Sequence, residues 1–236
     1  MTRLMPFLLF VAVCAFGLSP LLTPDFGGFE ADQFPIPQND PPVQPAGYAF
    51  SIWGVIYLWL LAGALFQWLR RHNDPIWDPI RGPLALSVAV GAIWLSVAFV
   101  SPFWATVLIW VMWGPAVLAL LRAPEFDRLW GEGPIGLYAG WLTAASCVAL
   151  GLMAGGYGLM DPVTAAVAAL VLALALALAI LTRRPGAYSF GAAFIWALIG
   201  VIVANGFNEP LVSGLALVGI AVVSALLARD WREMRA

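Results

Sequence analysis

Eight apolar runs, each about as long as a membrane crossing, follow one another along this chain, and charge is confined to the segments between them. The runs cover residues 4–22, 47–69, 83–100, 103–121, 135–154, 162–182, 188–205 and 210–228. The third and fourth are nearly fused, and Ser101-Pro102 supplies the tight break between them. With 62% hydrophobic and 10% charged residues, the chain lies far from the composition of a soluble domain. The sequence therefore predicts an all-α integral membrane protein, a helical bundle of about eight transmembrane helices.

The basic residues test this count independently. Eight crossings with the N-terminus inside place residues 1–3, 70–82, 122–134, 183–187 and 229–236 in the cytoplasm. Those segments hold Arg3, Arg70, Arg71, Arg81, Arg122, Arg128, Arg183, Arg184, Arg229, Arg232 and Arg235, all 11 basic residues of the chain. The positive-inside rule is met throughout, and one crossing more or fewer would put later arginines on the wrong side. The expected location is the cell inner (plasma) membrane, multi-pass, with both termini cytoplasmic. Arg3 and the apolar run to Leu18 also have the form of a secretory signal peptide. No small-x-small cleavage site follows, so a retained helix is expected; cleavage would leave seven crossings in the same orientation.

Several function classes lack their parts. The net charge of -2 gives no basic surface for nucleic acid. Cys14 and Cys147 lie inside apolar runs, as small packing residues do, and there is no Cys-x-x-Cys or histidine cluster to hold a metal or attach haem covalently. Coupled pumps keep a charged or titratable group at membrane depth, and no Asp, Glu, Lys, Arg or His falls within the middle of any run. The chain has no lysine for a retinal Schiff base, and its single histidine, His72, stands in a loop beside Arg70 and Arg71. No catalytic residue and no metal ligand is assigned, and an enzyme is not expected.

The connection from 23 to 46 is long, carries Asp25, Glu30, Asp32 and Asp40, and reads either as a lid or as an acidic solvated linker. Residues 74–80 read as a cytoplasmic turn with Trp77 at the interface. The polar groups at depth are weak ones: Ser51, Ser87, Ser96, Thr106, Thr143, Ser146 and Asn205. Small-residue faces (Ser87, Gly91 and Ala98; Gly136, Gly140 and Ala144) suit close helix packing and permit a homodimer. Gly114-Pro115 should kink the fourth helix beside Trp110 and Trp113. Residues 164–180, nearly all Ala, Leu and Val, suit a helix with a large lipid-facing surface. Ser189, Ala193, Trp196 and Gly200 fall at helical spacing and suit packing on the preceding helices.

Ten of the 12 tryptophans lie between Trp53 and Trp141. Rings near helix ends, such as Trp59, Trp68, Trp104 and Trp130, suit anchoring at the headgroups. Others suit a site for a flat apolar ligand. The run Pro45-Ala46-Gly47-Tyr48-Ala49-Phe50-Ser51-Ile52-Trp53-Gly54-Val55-Ile56-Tyr57, after Pro41-Pro42, resembles the second helix of the tryptophan-rich sensory proteins. These are the bacterial TspO proteins, related to the mitochondrial translocator protein (peripheral benzodiazepine receptor). Gly91-Ala92-Ile93-Trp94-Leu95-Ser96 is similar to that family's third helix, and Tyr138-Ala139-Gly140-Trp141 to its fifth. Trp53 and Tyr57 are four residues apart, which puts both rings on one helix face.

The resemblance divides the chain into a TspO-like five-helix unit, 1–154, with its outer loop 23–46, and a second part, 155–236, of three additional helices and a short cytoplasmic tail. It implies a membrane-embedded sensor that binds a tetrapyrrole (porphyrin or haem) or another small hydrophobic ligand between its helices, with Trp53, Tyr57, Trp94, Tyr138 and Trp141 as ligand-binding residues and membrane lipid around the bundle. A facilitative transporter or carrier of a small hydrophobic molecule is the alternative. Three departures from the family pattern stand out. Gly91 replaces an asparagine, so a side-chain hydrogen bond to ligand is lost there. Leu137 stands where a proline precedes the tyrosine. The basic cholesterol motif of animal members has no counterpart, and sterol binding is not carried over.

Overall fold

The computed structural model describes residues 4–235, so Arg3 lies outside the described residues. Among these are eight membrane-length helices: α1 (Leu4–Leu18), α2 (Ile52–Arg70), α3 (Asp78–Ala98), α4 (Pro102–Leu121), α5 (Glu132–Gly156), α6 (Pro162–Arg183), α7 (Tyr188–Asn205) and α8 (Pro210–Glu233). No strand occurs among them. Prolines start four of these helices, where a missing N–H costs nothing and the fixed φ suits the first turn. Ser101 and Asp161 cap α4 and α6 by accepting from the amides of Trp104 (3.4 Å) and Thr164 (3.0 Å).

Neighbour relations arrange the helices as two rings. α1, α2, α5, α4 and α3 close the first, with α3 returning to α1; α5, α6, α8 and α7 close the second. α5 belongs to both, and most of its residues are buried, whereas the other helices keep a wider lipid-facing surface. Glycine makes this sharing feasible. A Cβ on Gly140 would collide with the backbone carbonyl of Phe190 on α7, and one on Gly136 with the Ser189 hydroxyl. Trp196 of α7 donates to the Ala49 carbonyl (2.9 Å), tying the second ring to the entrance of α2.

The described arginines gather at one end of the bundle, as the alternation of runs requires. Arg71 pairs with Asp127 (2.6 Å), Arg128 with Glu132 (3.0 Å), and Arg184 donates to the Ala123 carbonyl (2.7 Å). Asp230 of α8 is buried and accepts from the Gly186 amide (3.0 Å) and from Arg229 (2.9 Å). The connections 71–77, 122–131 and 184–187 and the end of α8 are thus drawn together by ion pairs and hydrogen bonds.

Two expectations are corrected at this end. α3 begins at Asp78, not near 83, and continues through Pro83, because Pro79 starts the helix and the loss of one amide donor at Pro83 falls close to the helix start. Arg81 consequently sits on its first turns, buried, paired with Asp78 and donating to the Arg71 carbonyl. Trp77 is not at the interface: it is fully buried. Asp74 caps the short turn Pro75–Trp77 by accepting from the Ile76 amide (3.1 Å), which folds the indole inward against Phe66 and the open space at Gly131.

Candidate functional site

At the opposite end, the connection between α1 and α2 folds over the bundle as a lid. It is fastened at points far apart on the helix ends. Gln33 donates its amide to the Ala98 carbonyl of α3 (2.9 Å), and the Ile36 amide donates to Gly156 of α5 (2.9 Å). The Ala46 amide donates to Gly200 of α7 (3.0 Å), and Asn205 donates to the Pro42 carbonyl (2.8 Å). Two of these crossings rest on a missing side chain. The Phe34 ring occupies the space a Cβ on Gly156 would need, and Pro45 and Ala49 lie 2.9 Å from the Cβ position of Gly200. The lid reading of this segment is the one its hydrogen bonds support.

Beneath the lid is a small, almost wholly apolar cavity of about 50 Å³. Its walls come from the lid (Phe26, Phe29, Val43, Gln44, Pro45), the start of α2 (Phe50), Trp94 of α3, Ile109 of α4, and Trp141 with its neighbours on α5. α6 and α7 complete it through Ala169, Leu170, Ala173, Phe194, Leu198 and Val201. Pockets that engulf a drug-sized ligand measure roughly 300–1,000 Å³, so a molecule of that size fits here only if the lid or helices shift.

The five residues singled out by family spacing fall into one aromatic chain. Trp94 meets Phe26 (5.3 Å between ring centroids), Phe26 meets Phe50 (5.7 Å), and Phe50 meets Trp141 (5.7 Å). Trp141 meets Trp53 (6.2 Å), which stacks on Tyr57 (5.5 Å) and approaches Tyr138 (6.3 Å). Phe16 of α1 touches Trp53, Tyr57 and Tyr138, the closest at 4.9 Å. Trp94 and Trp141 line the cavity; Trp53, Tyr57 and Tyr138 stand one layer behind it.

Hydrogen bonding separates these groups further. Tyr138 is buried with its hydroxyl 2.9 Å from Ser87, which donates to the Met112 carbonyl (2.7 Å). That bond knits α3, α4 and α5 together. The Trp94 indole donates to the Ala105 carbonyl (2.9 Å) and Trp113 to Thr143 (2.9 Å). Trp141 is 2% exposed, and its N–H has no partner. A buried donor left unmade costs about 1–3 kcal/mol, which any acceptor brought within reach of it would recover.

Gly91, at the position where the family pattern has an asparagine, is filled from α1: the Phe16 ring reaches 2.6 Å from its Cβ position. The smaller residue makes room for an aromatic neighbour, and no polar group replaces the lost amide. The residues that sequence reasoning missed are the lid phenylalanines and the wall supplied by α6 and α7. Phe190, Phe194, Ala197 and Val201 recur on one face of α7 and carried that signal; α6, expected to face lipid, buries Ala165, Ala166, Ala169, Leu170, Ala173 and Ala177 along one stripe.

A family model described as TSPO-like protein matches residues 36–229. The chain belongs to the TSPO-like family. The match begins inside the lid and runs into α8, so it takes in α6 and α7, which complete the cavity. No curated protein and no solved structure matches the chain. As a TSPO-like membrane protein, the chain presents its aromatic network in the first ring and its cavity where that ring meets the second.

Proposed function

We propose that this protein is a membrane-embedded binding protein, of sensory type, that takes a flat apolar ligand into the cavity beneath the lid. A tetrapyrrole is the ligand class that its family resemblance suggests. One observation carries the reading: Trp141 is buried in the wall of an apolar cavity with an indole N–H that nothing in the protein accepts. Aromatic faces at Trp94, Phe26 and Phe50 offer stacking surface around it. The role in this reading is binding without turnover, within walls made of apolar and aromatic side chains with Gln44 and Cys147. The arginine-rich end faces the cytoplasm of the inner membrane, in accord with the positive-inside rule.

Titration of purified protein in detergent with protoporphyrin IX dimethyl ester, followed by tryptophan fluorescence, tests the site. Saturable quenching is expected, weakened about tenfold by Trp141→Phe, the effect of losing one well-placed hydrogen bond. Unchanged affinity in Trp141→Phe and Trp94→Phe would place the ligand elsewhere. Movement of the ligand across proteoliposome membranes down its gradient would favour a carrier.

A further inference from the structure

The distribution of charge around the cavity points to the electrical character of the ligand, granting that the cavity beneath the lid is the binding site. At the lid end stand Asp25, Glu30, Asp32, Asp40, Asp161 and Glu209, most of them exposed. Every basic residue among those described lies at the other end of the bundle, on the connections 71–77, 122–131 and 184–187 or within a turn or two of them and of the C-terminus. The Asp161 carboxyl is held below the ordinary carboxylate range by its hydrogen bonds to Thr164, so it stays ionised. Among the side chains that line the cavity, the polar groups are the Gln44 amide, the Cys147 thiol and the indoles of Trp94 and Trp141, of which Trp94 is already bonded to Ala105, and no charged residue contributes to the walls.

An acid entering this site meets two obstacles. Its carboxylate would approach through an acidic rim, where like charges lower the local concentration of anions. Once inside, it would lose its water with no guanidinium or ammonium to replace it, and an unpaired buried charge is strongly disfavoured. A carbonyl or ether oxygen meets neither obstacle and matches the free donor on Trp141. A ligand cation would gain at the rim but find no carboxylate among the apolar walls.

We infer that the site selects an uncharged lipophile bearing a hydrogen-bond acceptor for the Trp141 N–H, and that it discriminates against carboxylates. Among tetrapyrroles, the esterified or otherwise neutral forms are preferred over the free diacids.

The test compares protoporphyrin IX with its dimethyl ester on the wild-type protein, with Ala173→Leu, which narrows the cavity wall, as the control for partition into detergent. The ester should bind at least tenfold more tightly than the diacid. Raising salt from about 20 to 300 mM should narrow the gap, because it screens the exposed rim but leaves the cost of burial. Equal or tighter binding of the diacid overturns the inference while leaving the binding site in place. If neither porphyrin binds, the tetrapyrrole reading fails. A neutral alkyl quinone set against a fatty acid of matched length then decides the charge rule alone: quinone binding lost in Ala173→Leu supports it, whereas fatty-acid binding, or binding of neither, overturns it.

Discussion

The tryptophans of this bundle differ in what their N–H groups do. Trp94 and Trp196 donate to backbone carbonyls on neighbouring elements, while Trp141 donates to nothing. Replacing Trp94 by phenylalanine should therefore lower stability by about 1 kcal/mol more than the same change at Trp141, read from thermal unfolding in one detergent. Tyr138 offers a second contrast. Tyr138→Phe removes its bond to Ser87 and should destabilise the bundle by about 1 kcal/mol, yet leave ligand affinity within twofold, because the ring stands behind the cavity wall. A large loss of affinity with no loss of stability would reverse the two roles. At this scale the sequence was partly legible. Family spacing singled out Trp94 and Trp141, which line the cavity, but a spacing rule places a ring on a helix face without separating the layer at the cavity from the one behind it.

The helices themselves were written plainly in the apolar runs, because a backbone in lipid has few alternatives to a helix. Their boundaries at α3 and the burial of Trp77 were not. They depend on a capping aspartate, which acts locally on Ile76, and on the room left at Gly131, a contact between segments that no local pattern records. The lining of α6 was hidden for another reason: Ala169, Leu170 and Ala173 have the same chemistry whether they face lipid or a cavity. Element-level packing makes two predictions. Gly140→Leu forces α5 away from α7 at the Phe190 carbonyl and should cost about 2–3 kcal/mol, visible as a lower unfolding temperature. Gln33→Ala cuts the lid's bond to α3; at about 1 kcal/mol, this should raise the open population about fivefold. Faster ligand association, and faster amide exchange at Ile36, would report it. An unchanged association rate would mean that ligands enter by another route.

Across the whole molecule, charge divides the ends: the described arginines stand at one end beside their acidic partners, and the lid end carries carboxylates without them. The arginine end is bound together by pairs such as Arg71–Asp127 and by the buried Asp230, and the lid end is acidic. In a variant with Cys14→Ser and Cys147→Ala, single cysteines at Asn208 and His72 should react with a membrane-impermeant thiol reagent from opposite faces of the membrane, His72 from the cytoplasmic one. Labelling of both from one side would overturn the orientation. The arginine positions alone mark one end of this asymmetry, whereas the place of the cavity at the other, acidic end depends on the fold.

Because α5 closes both rings, the order in which the ribosome delivers the chain fixes the order in which the molecule can assemble. α1 to α4 enter the bilayer with a gap between α2 and α4 that only the fifth helix fills. The lid finds its last anchors on Gly200 and Asn205, so it stays unseated until α7 has followed. A nascent chain thus acquires its outer helices early and its interior late, and the cavity beneath the lid is complete only once the seventh crossing is made.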